Sequence, residues 1–169
     1  LIGWLASGTE PNQVEDLSSR IRRTTKKPLI VKLTPNVTEI TEIAEAAESA
    51  GADAVTCINT LAGMRIDVDR KKTVLPSGTG GLSGPAILPV GIAAVYKVSR
   101  AVSIPVIGVG GIFDSDDALE YLLAGASAIQ VGTANFVDPS TVTRVAEGIE
   151  AFAEKEDLSC IDDFHRFLE

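Results

Sequence analysis

Four short apolar runs alternate with longer amphipathic segments along the chain. The runs are strand-length and rich in β-branched residues; they cover 29–33, 54–58, 106–109 and 128–131. Apolar residues recur at helical spacing in the segments around them, which cover 12–25, 38–50, 89–101, 115–124 and 140–154. The pattern therefore predicts one helix followed by four strand-helix units.

This alternation predicts an α/β fold whose strands are parallel, because each strand must return through a helix before the next begins. Two architectures satisfy the pattern, a (β/α) barrel and a doubly wound open sheet. The segment 60–88 interrupts this alternation of strands and helices, because it predicts a long loop between the second strand and its helix. It leaves the carboxyl end of a strand, where both architectures place their functional sites.

Composition narrows the class of protein. The chain has 169 residues, of which 45% are hydrophobic and 22% charged, as expected for one globular domain. Its net charge of −8 argues against non-specific nucleic-acid binding, and no apolar run approaches the ~18 residues of a membrane span. The two cysteines form neither a disulfide framework nor a metal motif, which favours a reducing compartment, the cytoplasm.

The last two predicted strands both end in glycine. Gly110 and Gly111 follow one, and Gly132 and Thr133 follow the other. Glycines at such ends let backbone N–H groups approach a phosphate, and a helix N-terminus behind them adds a favourable dipole. The sequence therefore predicts a phosphate site here. The alternative is that the glycines serve only tight turns.

Polar residues at the first two strands are the other candidates. Lys32 lies inside an apolar strand, where a charge requires a partner or an anionic ligand; alternatively it reaches solvent from the strand end. Asn59 and Thr60 directly follow the second strand and can pair with the edges of a planar ligand, although Asn59 could equally cap a turn. Cys57 is expected in the core, and Cys160 and His165 near the surface.

Taken together, the motifs closely resemble dihydroorotate dehydrogenase, in its class 1B form, the catalytic subunit of an NAD-linked enzyme. The resemblance runs in unbroken order through nearly the whole chain. Five stretches carry it: IVKLTPNV at 30–37, INTLAGM at 58–64, TGGLSGPA at 79–86, IGVGGI at 107–112 and VGTANF at 131–136.

The resemblance implies a (β/α)₈ TIM barrel that binds FMN and oxidises dihydroorotate to orotate in pyrimidine (UMP) biosynthesis. It implies that Lys32 lies against the flavin and stabilises its reduced form, and that Asn59 and Thr60 bind orotate. Ser83 and Gly84 would line the ribityl side, and Gly110, Gly111, Gly132 and Thr133 would hold the phosphate. It also implies an electron-transfer subunit with FAD and an iron–sulfur cluster, and a homodimer or heterotetramer at full length.

The chain departs from the family in length. A full barrel typically needs ~250 residues, and the family's catalytic cysteine, in a Cys-Pro-Asn stretch, precedes a segment that 3–11 resembles. We therefore assign no catalytic residue and expect residues 1–169 to form the C-terminal half of one barrel domain. The alternatives are a dihydropyrimidine dehydrogenase-type domain, which shares the Gly-Gly-x-Ser-Gly loop, and a non-catalytic half-barrel that binds a phosphate ligand.

Overall fold

The computed structural model describes residues 8–168, which fold into a central sheet, a layer of helices and two small ribbons. The helices are α1 (Pro11–Thr24), α2 (Ile40–Ser49), α3 (Leu88–Val98), α4 (Ser115–Leu123), α5 (Ala134–Val137) and α6 (Thr141–Lys155), with 3₁₀ segments at Pro85–Ile87 and Ile161–Leu168. The strands are β1 (Ile30–Leu33), β2 (Ala54–Cys57), β3 (Leu61–Gly63), β4 (Ile66–Asp67), β5 (Lys72–Thr73), β6 (Gly80–Leu82), β7 (Val106–Val109) and β8 (Ala128–Gln130).

The main sheet confirms the prediction of parallel strands. Its order is β1-β2-β7-β8, and every neighbouring pair is parallel. Each predicted strand and helix is present, with bounds that agree to within three residues. Helices α1, α2, α3, α4 and α6 contact one another in the same order as the strands. The result is a parallel α/β fold, consistent with part of a TIM barrel.

The long segment between β2 and α3 differs from the predicted loop. It folds into two antiparallel ribbons, in which Leu61 pairs with Leu82 and Ile66 with Thr73. Sequence patterns do not predict these ribbons, because their strands are only two or three residues long, too short for a periodic signal. The β3–β6 ribbon carries Ser83 back to the end of the main sheet.

The core lies between the sheet and its helices. Small and branched side chains fill it, as the low aromatic content predicted; Leu33, Ala44, Val55, Val95 and Leu122 are all at most 1% exposed. Every buried side-chain nitrogen and oxygen among the described residues has a hydrogen-bond partner. Core packing therefore incurs no free-energy cost from unsatisfied polar side chains in this part of the chain.

The strands at the two edges of the sheet are far more exposed than those at its centre. All four residues of β2 are buried, whereas β1 leaves Ile30 48% exposed and Lys32 exposed as well. This corrects the expectation that Lys32 lies in a strand buried on both faces. An edge strand has only one neighbouring strand, so its side chains can reach water. A charged side chain there does not require a buried counter-ion.

Tyr121 fills a slot beneath the end of β7. Its side chain is fully buried, and its ring takes the space that side chains on Gly91 and Gly108 would need. A Cβ on Gly108 would lie 2.6 Å from the ring, and one on Gly91 only 1.7 Å from the hydroxyl. The hydroxyl donates a 2.8 Å hydrogen bond to the Gly110 carbonyl. Burial is the main cause of a rise in the Tyr121 pKa.

Between residues 8 and 168, no helix has the length and apolar character needed to cross a bilayer. Over the same range, no group of three or more His, Cys, Asp or Glu side chains is arranged to hold a metal ion.

Candidate functional site

Loops from the carboxyl ends of all four main strands enclose one small cavity of about 110 Å³. Its lining includes eight of the nine residues singled out in the sequence: Lys32, Asn59, Thr60, Ser83, Gly110, Gly111, Gly132 and Thr133. Gly84 is the ninth; it is buried beside the cavity, where a Cβ would lie 3.9 Å from the Thr133 methyl group. Residues that are distant in the sequence thus meet at the carboxyl ends of the parallel strands, where α/β folds place their functional sites.

The turn after β7 requires glycine. Gly111 has φ +79°, and a Cβ there would lie 2.7 Å from the backbone nitrogen of Leu88. Gly110 also has a positive φ, and the Tyr121 hydroxyl holds its carbonyl from below. The backbone of this turn therefore faces the cavity without side chains of its own. Such a surface suits a phosphate or another compact anion.

The helix dipole contributes less to this site than the sequence suggested. The amino end of α4 is closed by a capping box, in which Asp114 accepts from the Asp117 amide and Asp117 accepts from the Asp114 amide. Asp117 also accepts from Phe113 at 2.8 Å, and Asp116 adds a third carboxylate to this end of the helix. These charges oppose an added anion, so an anion in this cavity would depend mainly on the glycine amides.

A hydroxyl bridge closes the cavity on one side. Thr133, after β8, donates a 2.9 Å hydrogen bond from Oγ1 to the Ser83 hydroxyl, which follows the β3–β6 ribbon. The two residues are fifty positions apart in the chain. Gly132, directly before Thr133, is open, with no atom within 4 Å of a Cβ built on it. The site thus combines a fixed hydroxyl pair with accessible backbone.

Lys32 supplies the positive charge of the site. It is exposed on the edge strand β1 and lines the cavity. Its ammonium forms no ion pair or hydrogen bond with any group of residues 8–168. An anionic ligand would therefore meet an uncompensated cation here.

Asn59 and Thr60 extend beyond the end of β2. The Asn59 amide donates to the Leu33 carbonyl at 2.8 Å, which continues the pairing with β1, and the peptide bond between Cys57 and Ile58 is cis. The Asn59 Oδ1 accepts from the Thr60 amide at 2.9 Å, so part of its carboxamide does serve a turn. Its Nδ2 has no partner within the described part of the chain and is free for a ligand.

Two residues that support the site escaped the sequence reasoning. Asn36 bonds the backbone on both sides of Leu61, and Tyr121 holds the Gly110 carbonyl. Asn36 lies in a stretch that carried the family resemblance, but its partners are 24 and 26 positions away. Tyr121 looked like an ordinary residue of a helical apolar face. Only the fold reveals either contact.

The cysteines and the histidine lie outside the cavity. Cys57 is a fully buried core residue, as predicted, and burial raises the pKa of its thiol to about 12, which excludes it as a base near neutral pH. Cys160 is exposed and unpaired. His165 was expected on the ordinary surface, but it is half-buried with Nε2 3.2 Å from the Ala126 carbonyl, because the last 3₁₀ segment packs against helix α4.

His165 lines a larger concavity of about 690 Å³ at the opposite end of the strands. Arg100 also lines it, but that guanidinium stacks 3.6 Å over the Tyr96 ring and donates to two backbone carbonyls. The larger concavity lies at the amino end of β7, away from the strand-end loops, and holds none of the predicted site residues. The candidate site is therefore the smaller cavity, on which the predicted residues converge, and not the larger one.

Comparison with known proteins assigns the chain to a family. A family model described as dihydroorotate dehydrogenase matches residues 3–153. The chain is 50% identical over 161 residues to the dihydroorotate dehydrogenase B (NAD(+)) catalytic subunit of Geotalea daltonii, covering 95% of this chain and 53% of the relative. The subunit of the same name from Pelobacter propionicus is 51% identical over 167 residues, or 99% and 55% of the two chains.

A third relative of the same name, from Thermodesulfovibrio yellowstonii, is 51% identical over 160 residues, covering 95% of this chain and 53% of its own length. The chain thus spans about half the length of the curated relatives it matches. The resemblance carried by the five motifs is confirmed, and the chain belongs to the dihydroorotate dehydrogenase family.

Proposed function

We propose that the chain forms the C-terminal half of a flavin-binding TIM barrel that oxidises dihydroorotate to orotate in pyrimidine biosynthesis. The observation that carries the proposal is the convergence of eight candidate residues, from four strand ends and one ribbon, on a single cavity. The sheet supports the half-barrel, because β1 and β8 have no outer strand partner among residues 8–168 and the helices follow the strand order in one layer.

The residues present fit FMN at its phosphate end. The cavity of about 110 Å³ is smaller than the roughly 300–1,000 Å³ of a whole ligand pocket, so it suits a phosphate and the adjoining ribityl chain rather than the whole cofactor. In this proposal the backbone of Gly110, Gly111, Gly132 and Thr133 holds the phosphate. FMN, when bound, supplies the hydride acceptor that no side chain can provide.

Ser83 and Gly84 would contact the ribityl side of the cofactor. Ser83 is already fixed by the hydrogen bond from Thr133, so its hydroxyl has one lone pair and its proton left for a ligand. Gly84 follows it with φ +88° and precedes the 3₁₀ segment, whose last residue, Ile87, also lines the cavity. The β3–β6 ribbon thus holds the Ser83 hydroxyl at a fixed position beside the cavity.

Lys32 and the residues after β2 would act on the reacting groups. The ammonium of Lys32, which has no partner among residues 8–168, would stabilise negative charge that develops during the oxidation. Asn59 and Thr60 offer a free amide N–H₂ and a hydroxyl for the carbonyl and N–H edges of a pyrimidine ring. They would orient the substrate.

The base that removes the substrate's C5 proton is not among the described residues of the site, since Cys57 is buried with a raised pKa. We propose that it belongs to the remainder of the complete enzyme. The relatives are named as catalytic subunits of an enzyme that uses NAD(+). A second subunit with FAD and an iron–sulfur cluster would accordingly connect this site to NAD⁺.

The test is the complete natural protein that contains this chain, purified with FMN. We expect dihydroorotate to bleach the flavin absorbance near ~450 nm anaerobically and to yield an equal amount of orotate. Dihydrouracil should leave the flavin oxidised; bleaching by dihydrouracil alone would favour the dihydropyrimidine dehydrogenase reading. A protein that retains no FMN and reacts with neither substrate would refute the proposal and favour a non-catalytic role.

A matched pair of lysine variants tests the site itself. Lys32→Ala should slow flavin bleaching by about 100-fold, the size expected for losing one group that stabilises developing charge. Lys26→Ala, an exposed lysine before the amino end of the same strand, should leave the rate within about twofold. Equal rates for the two variants would remove Lys32 from the proposed mechanism.

A further inference from the structure

Asn36 uses its whole carboxamide in hydrogen bonds, two to backbone groups from another part of the chain and one to the nearby Thr34 side chain. Its Nδ2 donates to the Thr60 carbonyl at 2.9 Å and to Thr34 Oγ1 at 3.0 Å. Its Oδ1 accepts from the Ala62 amide at 2.8 Å. All these bonds have ordinary lengths, and the side chain is half-buried between the loops that follow β1 and β2.

The two long-range bonds imitate a neighbouring strand. A strand bonds alternate residues of its partner through one donor and one acceptor, and Asn36 does the same to Thr60 and Ala62. On its other side, Ala62 pairs with Gly81 of β6. The start of the ribbon is therefore held from two sides, by β6 and by a single side chain.

Thr60 depends on this support because it lies outside the main sheet. β2 ends at Cys57, and the last sheet-like bond beyond it is made by the Asn59 amide. Thr60 also lies against Gly81, where a Cβ would be 2.2 Å from its Oγ1. A small shift of the Thr60 backbone would therefore move the hydroxyl relative to the cavity and relative to Asn59.

We infer that Asn36 is a positioning residue for substrate recognition, which sets Thr60 and Asn59 at the distance and orientation that a planar pyrimidine requires. The inference rests on the proposed function. Asn36 does not line the cavity, so it acts through the backbone of Thr60 and not by contact with substrate. Its effect should therefore fall on the pyrimidine ligand more than on the FMN phosphate, which is held by the loops after β7 and β8.

The experiment uses the complete FMN-loaded protein and three variants. Asn36→Ala removes all three side-chain bonds, Thr34→Val removes only the local acceptor, and Asn12→Ala replaces an exposed asparagine of α1 as the matched control. Orotate affinity is measured by calorimetry, FMN affinity by fluorescence of the released flavin, and kcat and KM with dihydroorotate. Urea unfolding is followed for each protein.

For Asn36→Ala we expect orotate to bind about tenfold more weakly and KM to rise similarly, the size of one or two lost hydrogen bonds. FMN affinity should stay within about twofold, and kcat should fall less than KM rises. Thr34→Val should weaken orotate binding by only about two- to threefold, because the bonds to Thr60 and Ala62 remain. Asn12→Ala should match the parent protein.

Two results would overturn the inference. Unchanged orotate affinity in Asn36→Ala would show that Thr60 needs no such support. Equal losses of orotate affinity, FMN affinity and folding stability would show a general structural role. If the parent protein itself binds neither orotate nor dihydroorotate, the proposed function fails first, and that result is distinct because it appears without any substitution.

Discussion

The centre and the edges of the main sheet differ in what their side chains can do. In β2 and β7, seven of eight residues are buried, whereas Leu33 is the only buried residue in β1 and β8 together. The central strands can therefore carry only apolar side chains or polar side chains whose hydrogen bonds are all satisfied. The charge of the site, Lys32, lies on an edge strand. The cation that lines the candidate site therefore comes from an edge strand, whereas Asn59, Gly110 and Gly111 follow the buried central strands.

The largest expected effect concerns the open edges themselves. If β1 and β8 normally pair with the other half of a barrel, the isolated 169-residue chain should form dimers or larger assemblies, or melt without a cooperative transition. Sedimentation velocity and thermal unfolding of the isolated chain measure both. A monomer with one sharp melting transition would mean that the edges are not an interface.

The next effect separates two glycines of the site. In the complete protein, Gly111→Ala, after a central strand, should lower the free energy of unfolding by about 3 kcal/mol or more, because it combines a positive φ with a backbone clash. Gly132→Ala, after the edge strand, meets no atom within 4 Å and should change that energy by less than about 0.5 kcal/mol. Urea titration measures both values, and equal losses would contradict the comparison.

A third test asks whether the edge stays open in the complete protein. Val55→Ala in β2 should lower the free energy of unfolding by about 2 kcal/mol, as for other truncations in a packed core. Ile30→Ala in β1 should cost about as much if the missing half covers this strand. A cost below about 0.5 kcal/mol would show that Ile30 stays exposed, and the half-barrel proposal would fail.

The smallest effect is a pH dependence that originates in the central strand. Burial raises the pKa of Cys57 from 9.0 to about 12, so above pH 9 the unfolded chain loses this proton before the folded one does. Stability should therefore fall as pH rises, by about 1.4 kcal/mol between pH 8 and 10. Cys57→Ala should flatten that slope and Cys160→Ala should not. Urea unfolding of both variants at pH 8 and pH 10 measures the slope, and an unchanged slope in Cys57→Ala would contradict this prediction.

Local sequence information was sufficient for the elements of the main sheet, and it selected candidate residues that line one cavity. Apolar periodicity located every strand and helix of that layer, and glycines at strand ends located the cavity. Both signals depend on neighbours within a few residues. Together with the rule that parallel strands share one functional edge, they were enough to bring Lys32 and Thr133 together in the prediction.

What the sequence could not reveal depends on contacts between distant residues. The exposure of Lys32 follows from which strand occupies the edge, and no local pattern encodes strand order. The β3–β6 ribbon pairs Leu61 with Leu82 without a recognisable two-residue turn between them. Asn36 looks like a loop asparagine until its partners, more than twenty positions away, are seen.

The slot around Tyr121 links positions that would otherwise evolve independently. Gly91 and Gly108 belong to different elements, yet each is adjacent to the same ring, and a methyl group on either would collide with it. A larger residue at one of these positions is tolerable only if residue 121 becomes smaller at the same time. Across the family, we therefore expect the three positions to covary, with alanine or serine at 91 or 108 accompanied by a shorter side chain at 121.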